Sequence, residues 1–306
     1  TISLTGSGGV QVTKPAPGAP VLLSDRAPGV QETPGRYTRE SEHARGGMGR
    51  VLLVHDEHLG RDIALKELLP IPGQSDLTPQ TPARLSAGLI ARFLQEARIT
   101  GQLEHPAIVP VYELGTRNDG SLYYTMKLVR GGSMAESIRK AATLEDRLKL
   151  LPHFVDLCQA IAYAHSRGVI HRDLKPGNVM VGEFGETVVI DWGLAKAKGK
   201  KDIHEEELSR TFEMISKGHA ADAVNTAYGY ALGTPAYMPP EQAKGQLDQI
   251  DERSDVYSLG AILYELLTGR LPFKGDSLAD TLKKVITEEP RPIREFTPDA
   301  PPELAA

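Results

Sequence analysis

The sequence predicts the α+β fold class, with strands and helices gathered in different parts of the chain. Short strand-like runs separated by turn signals fill residues 50–129, interrupted by a single helical pattern. From residue 148 onward, the apolar residues recur mainly at helical spacing. Because the strands come first and the helices afterwards, we expect two packed lobes rather than an alternating βαβ sheet.

The first 35 residues are predicted to be a flexible leader. Glycine and proline are interleaved through residues 1–35 without a sustained period, which is typical of segments that lack a packed core. From Tyr37 onward this Gly- and Pro-rich composition gives way to strand-like runs. We therefore place a smaller lobe at residues 36–129 and a larger lobe at residues 130–306.

The smaller lobe is predicted to be an antiparallel sheet with one helix. Residues 89–103 carry apolar side chains at helical spacing. The run Asn118-Asp119-Gly120 is a strong signal for a hairpin turn. The predicted strands on either side of these features are residues 50–55, 62–66, 109–114 and 121–129.

The larger lobe is predicted to be mainly helical. Apolar positions three or four residues apart, Val155 among them, indicate one long buried helix from Leu148 to His165. The polar and charged stretch of about residues 196–228 is predicted to be an inserted loop. The remaining elements are short strands at residues 179–181 and 187–190 and helices at residues 254–268 and 278–288.

Composition argues against several classes of function. The formal net charge is -5 and no basic stripe stands out, so nucleic acid is not expected as a partner. No apolar stretch is long enough to span a bilayer. The single cysteine, Cys158, excludes internal disulfides and fits a reducing compartment. We therefore expect a cytoplasmic domain, which a region outside this chain could anchor to a membrane.

Two features of the smaller lobe are candidates for anion binding. Residues 45–51 are rich in glycine, which lets the backbone come close to a phosphate and present N–H groups to it. Taken alone, such a stretch is more often only a turn. The next strand carries Lys66 in an apolar setting that penalises an unpaired charge, and Glu96 on the following helix is its natural partner.

The decisive stretch is His-Arg-Asp-Leu-Lys-Pro-Gly-Asn at residues 171–178, followed by Asp191-Trp192-Gly193. A charged turn with scattered carboxylates is the plain alternative. A charged turn does not account for the residue types found here, because Asp173, Asn178 and Asp191 form an acid and amide set suited to Mg²⁺. Phosphoryl transfer needs a phosphate cradle, a cation, metal ligands and a carboxylate facing the acceptor hydroxyl, and the sequence offers them in one order.

These motifs resemble the protein kinase family, whose signature set they match from about Tyr37 to Phe273. Residues 233–241 resemble the segment that closes the family's activation loop, and residues 251–260 resemble its central helix. The resemblance implies a two-lobed kinase fold whose last C-terminal helices are missing from this chain. It also implies phosphorylation of proteins with ATP and Mg²⁺, including autophosphorylation and a signalling role.

The resemblance also implies a role for each site residue. Lys66, paired with Glu96, should hold the phosphates of ATP, and Asp173 should take the proton of the acceptor hydroxyl, while Asn178 and Asp191 should bind Mg²⁺. The residues implied to contact the nucleotide are Gly46, Gly47, Gly49, Val51, Ala64, Lys66, Met126, Lys127, Val129 and Met180.

The acceptor is expected to be serine or threonine of a protein. Lys175-Pro176 and residues 233–235 resemble serine/threonine kinases of bacterial type, and Lys175 should reach the γ-phosphate. Two alternatives remain: a pseudokinase that serves as a nucleotide-binding scaffold, and a phosphotransferase acting on small molecules. The full set of catalytic residue types argues against the first.

Three positions depart from the family or lack a chemical task. Trp192 replaces the usual phenylalanine and should still pack under the helix that carries Glu96. The arginine that usually pairs with Glu241 in the family has no counterpart in this chain. Arg172 is expected to bind a phosphate on the loop that follows, with Thr226 as the favoured acceptor. The alternative is that Arg172 only braces the loop.

Overall fold

The structure is a computed structural model. It describes residues 2–4, 10–12, 21, 29–46, 49–69, 87–200, 202–205, 208 and 235–305. The strands are β1 Ile2–Leu4, β2 Val10–Val12, β3 Val30–Gln31, β4 Tyr37–Arg45, β5 Gly49–Asp56, β6 Arg61–Leu68, β7 Val111–Thr116, β8 Leu122–Met126, β9 Gly131–Ser133, β10 Val169–Ile170, β11 Val179–Gly182, β12 Thr187–Val189 and β13 Lys196–Ala197. The helices are α1 Ala87–Gln102, α2 Met134–Lys140, α3 Leu144–Leu148, α4 Leu151–Ser166, α5 Pro240–Ala243, α6 Glu252–Thr268, α7 Leu278–Thr287 and α8 Ile293–Phe296. Short 3₁₀ turns cover Pro176–Asn178, Pro235–Tyr237, Leu247–Gln249 and Pro302–Leu304.

The smaller lobe is a six-stranded sheet in the order β3-β7-β8-β6-β5-β4. Every pairing in it is antiparallel except that of β3 with β7. The predicted strands and the hairpin at Asn118-Asp119-Gly120 are confirmed, although β8 ends at Met126 and the next residues form a connecting segment. One face carries a cluster around Leu65 and Tyr123, and α1 packs on the sheet through Leu89 and Phe93.

The leader is partly built into the fold, which corrects the prediction that residues 1–35 have no fixed structure. Val30 and Gln31 add the edge strand β3 beside β7. Val21 is buried, and its amide donates to the carbonyl of Arg167 at 3.2 Å. The sequence pattern missed these contacts because a two-residue strand has no period to detect.

The larger lobe packs α4 and α6 around one apolar core that also holds Trp192. The predicted long helix is divided, because α3 ends at Leu148 and α4 begins at Leu151 with Pro152 in its first turn, where proline is tolerated. Val155, predicted to be buried, is 50% exposed. Helix α6 begins with a capping box on Asp251 and ends at Gly269, whose φ of 67° places it in the left-handed conformation of a C-cap.

The polar stretch of about residues 196–228 does not begin as a loop. Lys196 and Ala197 form β13, which pairs antiparallel with β10, the strand that precedes residues 171–178. Beyond it, Asp202, His204 and Leu208 are buried. Within the described ranges, none of the helices is both long enough and apolar enough to cross a membrane.

Candidate active site

A cavity of about 430 Å³ lies between the sheet and the helical lobe. Its apolar walls are formed by Val51 and Ala64 from the sheet and by Met180 from β11, beside Met126 at the end of β8. Its lining includes most of the residues predicted from the sequence: Gly46, Gly49, Val51, Ala64, Lys66, Glu96, Met126, Lys127, Val129, Asp173, Met180 and Asp191. Gly47 lies outside the described residues.

The two described glycines of the glycine-rich stretch differ in their surroundings. A Cβ at Gly46 would meet no atom within 4 Å, so its backbone faces open space. A Cβ at Gly49 would lie 2.0 Å from the carbonyl oxygen of Glu67. Glycine at residue 49 is therefore required by the pairing of β5 with β6, whatever its role toward a ligand.

Lys66 and Glu96 form the predicted pair, with Nζ and Oε1 separated by 2.6 Å. The hydroxyl of Tyr124 also donates to that oxygen, at 2.8 Å. Burial alone would lower the pKa of Lys66, but the negative charges of Glu96 and Asp191 outweigh it and raise the pKa. The ammonium is therefore held charged at the wall of the cavity.

The predicted catalytic loop, residues 171–178, gathers its polar groups around Asp173. Lys175 Nζ lies 2.7 Å from Asp173 Oδ2. The side-chain nitrogen of Asn178, Nδ2, donates to the backbone carbonyl of Asp173 at 2.8 Å and to the Asp173 carboxylate at 3.1 Å. Burial raises the pKa of Asp173, in spite of the opposing charge of Lys175.

Asp191 also lines the cavity. Burial would raise its pKa, but the charges of Lys66 and Lys175 outweigh burial and lower it. The pKa values of the two carboxyl groups are therefore shifted in opposite directions. The pKa of Asp191 is lowered, which favours its carboxylate form, while burial raises the pKa of Asp173 and makes it more basic than usual. Such a difference between neighbouring acids is common where one group binds cations and another accepts protons.

The backbone is held at two positions of the site in a conformation that their residues do not prefer. Arg172 has a φ of 67° and Asp191 a φ of 63°, both in the left-handed region that side chains disfavour. Asp255, on α6, fixes the loop from below by accepting from the amides of His171 at 2.8 Å and Arg172 at 2.9 Å. Gln242 donates to the Arg172 carbonyl at 3.1 Å.

The sequence profile of the protein kinase domain matches residues 37–303. The chain belongs to the protein kinase family. It is similar to the serine/threonine-protein kinase PknD of Protochlamydia amoebophila (strain UWE25), with 41% identity over 257 residues that cover 80% of this chain and 24% of that protein. It is also similar to the probable serine/threonine-protein kinase SCO3848 of Streptomyces coelicolor, with 36% identity over 275 residues that cover 89% of this chain and 36% of that protein. The chain thus spans between 24% and 36% of the length of these relatives.

Membership of the family confirms the predicted two-lobed kinase fold and implies ATP, commonly with Mg²⁺, in the reaction. The departure at Trp192 fits the fold. Its ring is 1% exposed, lies 4.6 Å from the ring of His171, and shares an apolar cluster with Ile99 of α1. Trp192 therefore links the helix that carries Glu96 to the catalytic loop.

Glu241 has a partner within the described residues. Ser254, in the first turn of α6, donates its hydroxyl to Glu241 Oε1 at 2.5 Å. The same serine hydroxyl accepts from the amide of Asp251 at 3.3 Å. The end of the segment formed by residues 233–241 is therefore tied to the start of α6 by the Ser254 hydroxyl.

Arg172 has a partner that sequence reasoning missed. Its guanidinium is paired with the carboxylate of Asp202, and both side chains are almost completely buried. Asp202 lies in the polar stretch that was predicted to be a loop, and an acid there gives no sequence signal of burial. Thr226, the favoured phosphate acceptor, lies outside the described residues.

Proposed function

We propose that this domain transfers the γ-phosphoryl group of ATP to serine or threonine hydroxyls of proteins. The observation that carries the proposal is the joint arrangement of a closed Lys66–Glu96 pair with Asp173 and Asp191 around one cavity. A scaffold that only binds nucleotide needs no buried carboxyl group beside a lysine at the acceptor position. Asp173 with Lys175 forms such a pair.

The adenine of ATP fits the apolar part of the cavity, between Val51, Ala64 and Met180. The amide of Lys127 already donates to the Pro110 carbonyl at 3.1 Å, so Lys127 can offer the base only its own carbonyl. Leu128 and Val129 follow Lys127 in the lining of the cavity. The phosphates would then extend toward Lys66, whose charge is held by Glu96.

Asn178 and Asp191 suit Mg²⁺, because they offer an amide oxygen and a carboxylate respectively. Within the described ranges, no three His, Cys, Asp or Glu side chains come together as an all-protein metal cage. One or two protein ligands fit a Mg²⁺ ion that shares its remaining positions with phosphates and water, where it would neutralise charge on the phosphate oxygens.

Asp173 would accept a hydrogen bond from the acceptor hydroxyl and take its proton as the new bond to phosphorus forms. Burial raises the pKa of its carboxyl group, which makes it a better proton acceptor than an exposed aspartate. Lys175, 2.7 Å from Asp173, would stabilise the negative charge on the transferred group. The preference for serine and threonine is supported by Lys175-Pro176 and by the names of the relatives.

The test is phosphate incorporation into a generic protein substrate, with nucleotide binding measured separately by calorimetry. Asp173→Asn should lower turnover by at least about 10²-fold, because a positioned proton acceptor contributes about 10² to 10⁴. Lys66→Met should lower it by at least about 10²-fold through lost electrostatic stabilisation. Asp299→Asn and Lys149→Met, at exposed positions, are the matched controls.

Nucleotide binding without any turnover by the unaltered domain would support a pseudokinase scaffold instead. Turnover by Asp173→Asn at the rate of the unaltered domain would remove Asp173 from the reaction. Phosphorylation of small alcohols but of no protein would favour a small-molecule phosphotransferase.

A further inference from the structure

Each of the three nitrogens of the Arg172 guanidinium donates to a group of this chain. Its Nε donates to the carbonyl of Leu194 at 2.6 Å. Both of its terminal nitrogens donate to the Asp202 carboxylate, one to each oxygen, and the Nη2 to Oδ1 distance is 3.1 Å. The side chains are 1% and 4% exposed, so this is a buried, two-pronged ion pair between residues 30 positions apart.

Asp202 is itself held in place by its own segment. Its Oδ1 accepts from the amide of His204 at 3.0 Å. The amide of Leu208 donates to the His204 carbonyl at 2.9 Å, and the Leu208 side chain is buried in an apolar cluster with Ile170 and Met238. The segment is thus docked at both ends, with Asp202 on Arg172 and Leu208 on Ile170 and Met238.

The Asp202 carboxylate makes the contact that a phosphate was expected to make. A guanidinium binds carboxylate and phosphate through the same pair of parallel N–H donors. Burial opposes the charge of Asp202, but the hydrogen bond and charge of Arg172 lower its pKa, so the carboxylate is ionised. The rest of the site is assembled at the same time, since the Lys66–Glu96 pair is closed.

We propose that Asp202 is a positioning residue for the phosphoryl transfer. It supplies Arg172 with a built-in anion, so that the catalytic loop is ordered without a phosphate on the activation segment, the stretch between Gly193 and Gly233. This inference rests on the proposed function. Arg172 transmits the effect directly, because it precedes Asp173 and its own backbone is held at a φ of 67° between Asp255 and Gln242.

Removing the anion would leave a buried guanidinium with a carbonyl as its remaining partner among the contacts described above. A buried charge without its partner is strongly unfavourable, so Arg172 would move and take Asp173 with it. Nucleotide contacts in the apolar part of the cavity would be unaffected. The predicted defect is therefore in kcat rather than in the KM for ATP.

The experiment compares domain treated with a protein phosphatase with domain allowed to autophosphorylate, and mass spectrometry establishes the phosphate content before and after each assay. The phosphate-free domain should keep kcat within about 3-fold of the phosphorylated form, because Arg172 already has its anion. Asp202→Asn, free of phosphate, should lose about 10-fold to 100-fold in kcat with the KM for ATP changed less than about 3-fold, as expected for a misplaced catalytic group.

Two further variants separate positioning from general destabilisation. Asp202→Glu keeps the carboxylate and should recover part of the lost kcat. Glu205→Gln, an exposed acid in the same segment, should leave kcat and KM unchanged. If Asp202→Asn fails to fold, the phosphate-free unaltered domain and Asp202→Glu still decide the question.

The inference is overturned if the phosphate-free domain has little activity and gains it on phosphorylation, or if folded Asp202→Asn keeps full kcat. In both cases the proposed function stands, because turnover is measured. A domain without turnover in any phosphorylation state would instead refute the proposed function, and this inference with it.

Discussion

The catalytic loop and the first part of the activation segment are both polar stretches with buried charges, but they are held in different ways. In residues 171–178, the backbone itself is fixed, since Asp255 accepts from two successive amides. In residues 202–208, the described anchors are the side chains of Asp202 and Leu208. The loop is thus fixed through its backbone and the segment through side chains, so a single substitution should release the segment more readily than it distorts the loop.

The largest effect is expected where the loop loses its backbone acceptor. Asp255→Asn replaces one accepting oxygen by a donating amide, which faces the N–H groups of His171 and Arg172. We expect a loss of activity of at least about 10²-fold, because the loop carries Asp173. The domain should also be destabilised by about 1.5–3 kcal/mol for a lost hydrogen bond to a charged acceptor.

The matched control for that change lies on the same helix. Asp251 caps the start of α6 and pairs with Arg253 near the surface. Asparagine caps a helix about as well as aspartate, so Asp251→Asn should change stability by less than about 1 kcal/mol. Initial rates and urea denaturation of both variants test the comparison. Equal activity losses at the two positions would show that Asp255 has no special role beneath the loop.

A second effect, on docking of the segment and less on activity than that of Asp255→Asn, is expected where the segment loses its apolar anchor. Leu208 is 1% exposed, so Leu208→Ala should cost about 2–5 kcal/mol of local docking free energy. Leu59→Ala, at a site 63% exposed, should cost less than about 0.5 kcal/mol. Hydrogen exchange of residues 202–208 measures the docking directly. Exchange that is equally slow in both variants would contradict docking through Leu208.

The same contrast explains what the sequence could predict. Lys66, Asp173, Asn178 and Asp191 belong to short motifs in fixed order. In the structure Lys66, Asp173 and Asp191 line one cavity, and the side chain of Asn178 is bonded to Asp173. Their spacing is set by local turns and strands, so it can be recognised without knowing the rest of the chain.

The role of Asp202 could not be predicted in this way. An acid in a run of polar residues is usually solvated, and its burial here depends on Arg172, 30 positions away. The edge strand at Val30 and Gln31 was missed for a related reason, because its pairing with β7 is set by the smaller lobe and not by its own sequence. Both cases are long-range contacts made by segments with no periodic pattern.

The smallest effect is expected from His204, which makes the docked segment sensitive to pH. Burial, and next the positive charge of Arg172, lower the pKa of His204 to about 4, with Arg92 also lowering it and Asp202 opposing. In the unfolded chain, histidine has a pKa of about 6.5. Between these values the unfolded state binds a proton that the folded state does not, so stability is complete above pH of about 6.5 and is lost as the pH falls toward 4.

The contribution of His204 should therefore amount to about 2 kcal/mol less stability at pH 5 than at pH 7, at about 1.4 kcal/mol per pH unit. His204→Gln cannot titrate, so its free energy of unfolding should fall by that much less over the same range. His58→Gln, at an exposed site, should follow the unaltered domain. The measurement is urea denaturation of the three proteins from pH 7 to pH 5. Parallel pH profiles for the unaltered domain and His204→Gln would show that His204 is not buried in its neutral form, and the segment would then not be docked as described.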